Sequence, residues 1–124
     1  MVMATVMASV QAGRTVVPKL LETEPVEVPA EATPLTAAEA DALRGMLRAV
    51  VTSGSGSGFL DVPGAPVLAK TGTAEFDRDG ERLLHAWMVA AQGDLAVAVY
   101  VDEGESGSRT AGPLLESFLR AAAG

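Results

Sequence analysis

The chain has 124 residues, a formal net charge of −7 and no cysteine. That length suits one domain with a modest core. The acidic balance, with its basic residues scattered, argues against nucleic acid, because phosphates call for clustered Lys and Arg. Disulfides and thiolate metal sites are excluded, and a single histidine leaves a zinc centre without paired imidazoles. Hydrophobic residues make up 48% of the chain, yet many are Ala and Val. A core of small side chains gains less transfer free energy per residue, at roughly 25 cal/mol per Å², so marginal stability is expected.

In chain order, Met3, Val6, Met7 and Val10 recur at helical spacing, and Gly13 is a suitable terminator. The apolar front lacks a basic n-region, so it reads as a core helix and not as a signal segment. No apolar run is long enough to cross a bilayer, which takes about 18 residues. Val16 to Leu21 fits a short edge strand, since Pro18 has no N–H to give to a central ladder. Residues 22–34, rich in Glu and Pro, read as an exposed flexible loop. Thr36 and Glu39 form a capping-box pattern. The helix they open places Leu43, Met46, Leu47, Val50 and Val51 on one face. Ser53 to Gly58 alternates Ser and Gly and reads as a second flexible loop.

Three strands follow, at about residues 66–76, 82–91 and 95–101. Asp79-Gly80 is a hairpin signal between the first two. On the second strand, Leu83, His85, Trp87 and Val89 share one face, and Leu84, Ala86, Met88 and Ala90 share the other. Strands apolar on both faces predict a sheet covered on both sides. A last helix opens near Thr110, tolerates Pro113 in its first turn, and aligns Ala111, Leu114, Leu115, Phe118 and Leu119. The expected fold class is α+β: an antiparallel sheet of three main strands and a short edge strand, with helices on both faces. Residues 1–124 form one unit, with no internal repeat.

The chemistry concentrates in Lys70-Thr71-Gly72-Thr73-Ala74-Glu75. A cation, two hydroxyls and a bare glycine backbone lie along one extended segment. Glycine admits a ligand backbone close to a strand, while a lysine and hydroxyls hold a carboxylate and steer protons. Taken alone, such a triplet is as well explained by a turn or strand with an exposed lysine. Glu75 reads as a solvated strand-end charge, His85 as a satisfied core histidine and Trp87 as core. Asp77, Asp79 and Glu81 lack the further ligands of a calcium loop. Asp102, Glu103 and Glu105 read as turn charges, and Arg109 precedes the last helix without an assigned role.

K-T-G is one of three motifs of penicillin-binding proteins and class A β-lactamases, with S-x-x-K and S-D-N. Its extension to Lys70-Thr-Gly-Thr-Ala-Glu75 resembles the high-molecular-weight penicillin-binding transpeptidases. Leu47 to Gly54 is similar to the helix end and glycine-rich loop before that motif. His85-Ala-Trp-Met-Val89, Leu95 to Val101 and Gly112-Pro-Leu-Leu115 resemble the two following strands and the closing helix. Met3 to Gly13, with Pro18, resembles the helix and strand after the S-x-N region. Neither S-x-x-K nor S-x-N occurs. The front helix ends Gln11-Ala-Gly-Arg14, and Ala90-Ala91-Gln92 replaces the usual glycine-aromatic continuation.

This resemblance implies the C-terminal part of a serine DD-transpeptidase domain, a partial penicillin-binding transpeptidase fold. Lys70 would interact with the S-x-N serine and the substrate carboxylate. Thr71 and Thr73 would bind the carboxylate of substrate or β-lactam, with Gly72 keeping the strand surface open. The Thr73 N–H would supply half of an oxyanion hole. No cofactor is expected. The implied partners are the N-terminal part of the domain, D-Ala-D-Ala stem peptides or β-lactams, and a second copy through the open strand 95–101. The parent would lie on the extracytoplasmic face of the bacterial cell membrane, this segment being soluble and not competent alone. A different reading is a non-catalytic module that adds a peptide to the K-T-G edge strand; an S-x-x-K-containing partner segment discriminates the two.

Overall fold

The computed structural model describes every residue except Glu24, Val28, Pro29, Glu31 and Ala32. Part of the loop expected over 22–34 therefore lies outside the described residues. Helix α1 spans Val2–Ala12 and α2 spans Ala37–Ser53. The strands are β1 (Leu68–Arg78), β2 (Glu81–Gln92) and β3 (Leu95–Val101), and α3 covers Gly112–Ala122. The sheet is antiparallel in the order β1-β2-β3. This is the expected α+β architecture.

Helix α1 ends as its glycine predicts. Gly13 takes φ 65°, its N–H donates to Val10 O, and the Arg14 N–H donates to Ser9 O. That pair of bonds closes the last turn in a Schellman motif. Only Met7 and Val10 of the anticipated stripe are buried, whereas Met3 and Val6 stay exposed. The next segment forms no strand: the Val16 N–H goes to Ser9 Oγ at 3.0 Å, and Pro18 has none to offer a ladder.

The capping box on α2 forms as written in the sequence. The Thr36 N–H donates to Glu39 Oε2 at 2.8 Å, and the Glu39 N–H donates to Thr36 Oγ1 at 3.3 Å. Val51 is fully buried and Leu47 half-buried, but Met46 faces solvent. The helix is tethered to α1 through Arg44, whose guanidinium donates to the Val10 and Gln11 carbonyls in the last turn of α1.

Asp79 and Gly80 take φ 53° and 84°, the two left-handed residues that a type I′ hairpin turn needs. The sheet separates two apolar layers. One holds Ala69, Ala86, Met88 and Ala90 against Val51, Phe59, Leu115 and Leu119. The other holds Leu68, Val89 and Ala91 against Met7, with Leu47 alongside. Helix α2 thus serves both layers, sending Val51 to one and Leu47 to the other. A short π-helical turn, Gly107–Ala111, leads into α3, and Ser106 Oγ caps it by accepting from the Arg109 N–H. Leu114 and Phe118 of the expected stripe remain about half exposed, because α3 turns Ala111, Leu115 and Leu119 to the sheet. No helix among the described residues is long and apolar enough to cross a membrane.

Candidate functional site

The strand that carries Lys70 to Thr73 is pinned where it begins. Arg48 of α2 donates to the Val67 carbonyl at 3.0 Å. Gln92 Nε2 donates to the carbonyls of Pro63 and Ala65 at 2.7 and 2.9 Å, holding the turn before β1 against the end of β2. From there β1 runs along the rim of the sheet, with β2 as its one strand neighbour among the described residues.

Alternation sorts the motif onto two faces. Lys70 and Gly72 share the α1 side with Leu68. Thr71 and Thr73 share the α3 side with the buried Ala69. Lys70 stands opposite Val89 in the register, and Gly72 opposite Trp87. A cavity of about 290 Å³ opens here, lined by Met3, Lys70, Thr71, Gly72, Trp87 and Val89. The missing side chain at Gly72 keeps it open, since a Cβ there would lie 3.3 Å from Trp87 Cβ. Lys70 is exposed, and its ammonium folds back to the Thr71 carbonyl at 2.8 Å.

Each threonine hydroxyl meets a group from another element. Thr71 Oγ1 lies 3.1 Å from Ser55 Oγ, on the segment that follows α2. Thr73 Oγ1 accepts a long hydrogen bond, 3.4 Å, from the Gly107 N–H. Gly107 is wedged against the ladder: a Cβ there would sit 2.2 Å from Trp87 O and about 3 Å from both Gly72 N and O. Neither Ser55 nor Gly107 stands out in the sequence. Their signal is three-dimensional, one glycine or serine among many until the chain folds.

The Ser53–Gly58 segment is built onto the end of α2. The N–H groups of Gly54 and Gly56 both donate to Val50 O, at 3.1 and 2.9 Å. Ser57–Phe59 forms a 3₁₀ turn, and Phe59 is buried at 3% exposure.

The remaining residues weighed in the sequence lie elsewhere. Glu75 is exposed and faces Arg82 at 3.5 Å. His85 stacks on Phe76, with ring centroids 3.8 Å apart, and its Nδ1 lies 2.7 Å from the Asp102 carbonyl. It is half-buried and away from the cavity. Trp87 is only partly buried, leaning on Tyr100 at 4.5 Å between centroids while its other side lines the cavity. Asp102 is more than a turn charge: it accepts from Arg78 at 2.9 Å and from the Tyr100 hydroxyl at 2.7 Å. Those two bonds, Arg78 first, hold its carboxyl below the usual aspartate range, and the same carboxylate pushes the Tyr100 phenol up. Arg109 pairs with Glu105 one turn away.

An α+β unit whose edge strand presents Lys-Thr-Gly-Thr beside an open cavity is thus in place. The family model described as the penicillin binding protein transpeptidase domain matches residues 1–120, and the chain belongs to that family. A solved structure similar to it is the D,D-transpeptidase domain of a peptidoglycan glycosyltransferase from Eggerthella lenta. The two share 24% identity with a TM-score of 0.68 over 96% of this chain, which shows the common fold. This chain spans 31% of that protein's length. Among curated proteins none matches.

Proposed function

We propose that this segment forms the K-T-G wall of a peptidoglycan DD-transpeptidase cleft. Thr71 and Thr73 bind the carboxylate of a D-Ala-D-Ala stem peptide or a β-lactam. Gly72 lets the ligand backbone approach. Lys70 supplies the cation that attracts the carboxylate and steers the proton of the attacking serine. The Thr73 N–H stabilises the oxyanion together with a second N–H from the part of the domain that carries the nucleophile. Donors fixed where charge develops contribute a few kcal/mol in such reactions.

One observation carries this reading: Lys70, Thr71 and Gly72 share one cavity on a strand whose outer side has no strand partner among the described residues. In an antiparallel pair a residue's N–H and C=O point the same way, and the direction alternates along the strand. The Thr71 carbonyl is engaged by Lys70, while the Gly72 backbone lies beside the Trp87 carbonyl. Thr73 follows Thr71 in that alternation, so its N–H belongs to the open side. Serving this cleft, the parent works on the extracytoplasmic face of the cell membrane.

The chain carries no S-x-x-K serine. Without a nucleophile no acyl-enzyme forms, so the chain alone stays unacylated. Intact-mass spectrometry after incubation with benzylpenicillin checks this, and an ester-labile stoichiometric adduct would refute it. In the domain completed with the S-x-x-K segment, Lys70→Ala or Thr73→Val slows acylation about tenfold or more, equivalent to roughly 1.4 kcal/mol of transition-state binding. Glu75→Gln leaves it near wild type. Equal rates for all three variants would overturn the assignment.

A further inference from the structure

The two threonine hydroxyls differ from ordinary exposed strand hydroxyls in having a polar group behind each of them. The partners come from elements far apart in sequence: Ser55, after α2, and Gly107, before α3. A carboxylate is acceptor-only, whereas a hydroxyl has one proton to give and two lone pairs. Any threonine that binds a carboxylate must therefore spend its proton on the ligand, and its oxygen is then free to accept. The Gly107 N–H can only donate, so at Thr73 the polarity is already set outward. At Thr71 the 3.1 Å contact is between two hydroxyls, each able to give the proton. An acceptor-only ligand on Thr71 selects the sense Ser55 to Thr71 to carboxylate, a chain in which each bond strengthens the next.

Ser55 reaches Thr71 because of its two neighbours. A Cβ at Gly54 would lie 2.9 Å from Val50 O, and one at Gly56 would lie 3.3 Å from Val50 O and Cγ1. Both glycine N–H groups bond that same carbonyl. A side chain at 54 would force this curl off the end of α2 and one at 56 would press on it, and the curl brings Ser55 beside the strand. Phe59, buried three residues past Gly56, anchors the far end.

We infer that Ser55 is a positioning residue for carboxylate recognition, donating to Thr71 Oγ1 so that the Thr71 proton is aimed at the ligand. The inference rests on the carboxylate-binding role proposed above for Thr71. It gives the Gly-Ser segment a specific task in selecting anionic ligands.

The test uses the domain completed with its S-x-x-K segment and two probes, benzylpenicillin and its methyl ester, which lacks the anionic acceptor. In S55A the concentration for half-maximal acylation by benzylpenicillin rises roughly three- to tenfold, the size of one lost hydrogen bond. The limiting acylation rate and the response to the ester stay at wild-type values. S55T, which keeps a hydroxyl, restores the preference for the acid. T71V separates the layers of the argument. If T71V lowers the acid-to-ester preference and S55A does not, the role of Ser55 is overturned while that of Thr71 stands. If T71V leaves the preference intact, the carboxylate reading itself falls, and this inference with it. An equal loss on both probes in S55A marks a purely structural residue and also overturns the proposal.

Discussion

At position 107 a single methyl group would collide with the backbone of two strands, 2.2 Å from Trp87 O and 2.9 Å from Gly72 O. Both contacts are ladder carbonyls, so there is no flexible side chain to swing away. The π-helical turn must lift off, or β1 must shift at the residue that keeps the cavity open. Gly107→Ala is expected to destabilise the fold by about 1–3 kcal/mol, the usual cost of forcing extra volume into a packed site. Urea unfolding measures this, and an unchanged midpoint would show that the turn yields freely. The same crowding explains why Gly107 was invisible beforehand. Thirteen glycines occur in the chain, and only the fold distinguishes the one that touches Gly72.

Among the elements, α2 was the most legible. Its start is encoded in two side chains three residues apart, and both reciprocal bonds form. The Thr36 backbone N–H, and then its hydroxyl, hold the Glu39 carboxyl below its ordinary value of 4.5. A depressed folded-state pKa contributes stability that is complete above the ordinary value and disappears as pH falls through the lowered one. The melting temperature of Glu39→Ala should therefore fall below wild type at neutral pH, and the gap should close as pH falls below 4.5 and through the lowered value. A gap that persists unchanged at low pH would mean that the carboxylate is not what matters. Helix faces were read less well. Met3, Val6, Met46, Leu114 and Phe118 follow helical periodicity yet stay exposed. Periodicity identifies an apolar stripe, but the width of stripe that is covered depends on how many elements pack against it.

For the molecule as a whole, the sheet ends on an unguarded strand. Leu95 to Val101 has no charge and no proline, and among the described residues β2 is its one strand neighbour. Unpaired N–H and C=O groups along such an edge template further pairing. Val2, Leu20 and Leu21 add exposed apolar surface elsewhere, at 76, 78 and 60% exposure. We propose that isolated copies associate through the β3 edge. Light scattering should show species larger than a monomer at micromolar concentration, and Tyr100→Lys, at the strand's exposed position, should reduce them by placing a charge on the edge. A folded monomer throughout that range would refute the proposal.

Local chemistry was readable from the residues themselves. The Thr36 cap, the Gly13 terminator, the Asp79-Gly80 turn and the alternation along β2 each depend on neighbours within a few positions. The Lys70-Thr-Gly-Thr motif, with the other matches along the chain, carried the family. The expected strand over Val16 to Leu21 failed because the Val16 N–H found Ser9 Oγ, a partner that only the packed turn supplies. Ser55 and Gly107 reach the motif from 16 and 34 residues away, and Met3 reaches the cavity from the first helix. Contacts across such separations leave no periodic trace, because closing the intervening chain is a property of the whole fold. The sequence determined which side chains the edge strand carries, and the tertiary structure decided which groups stand behind them.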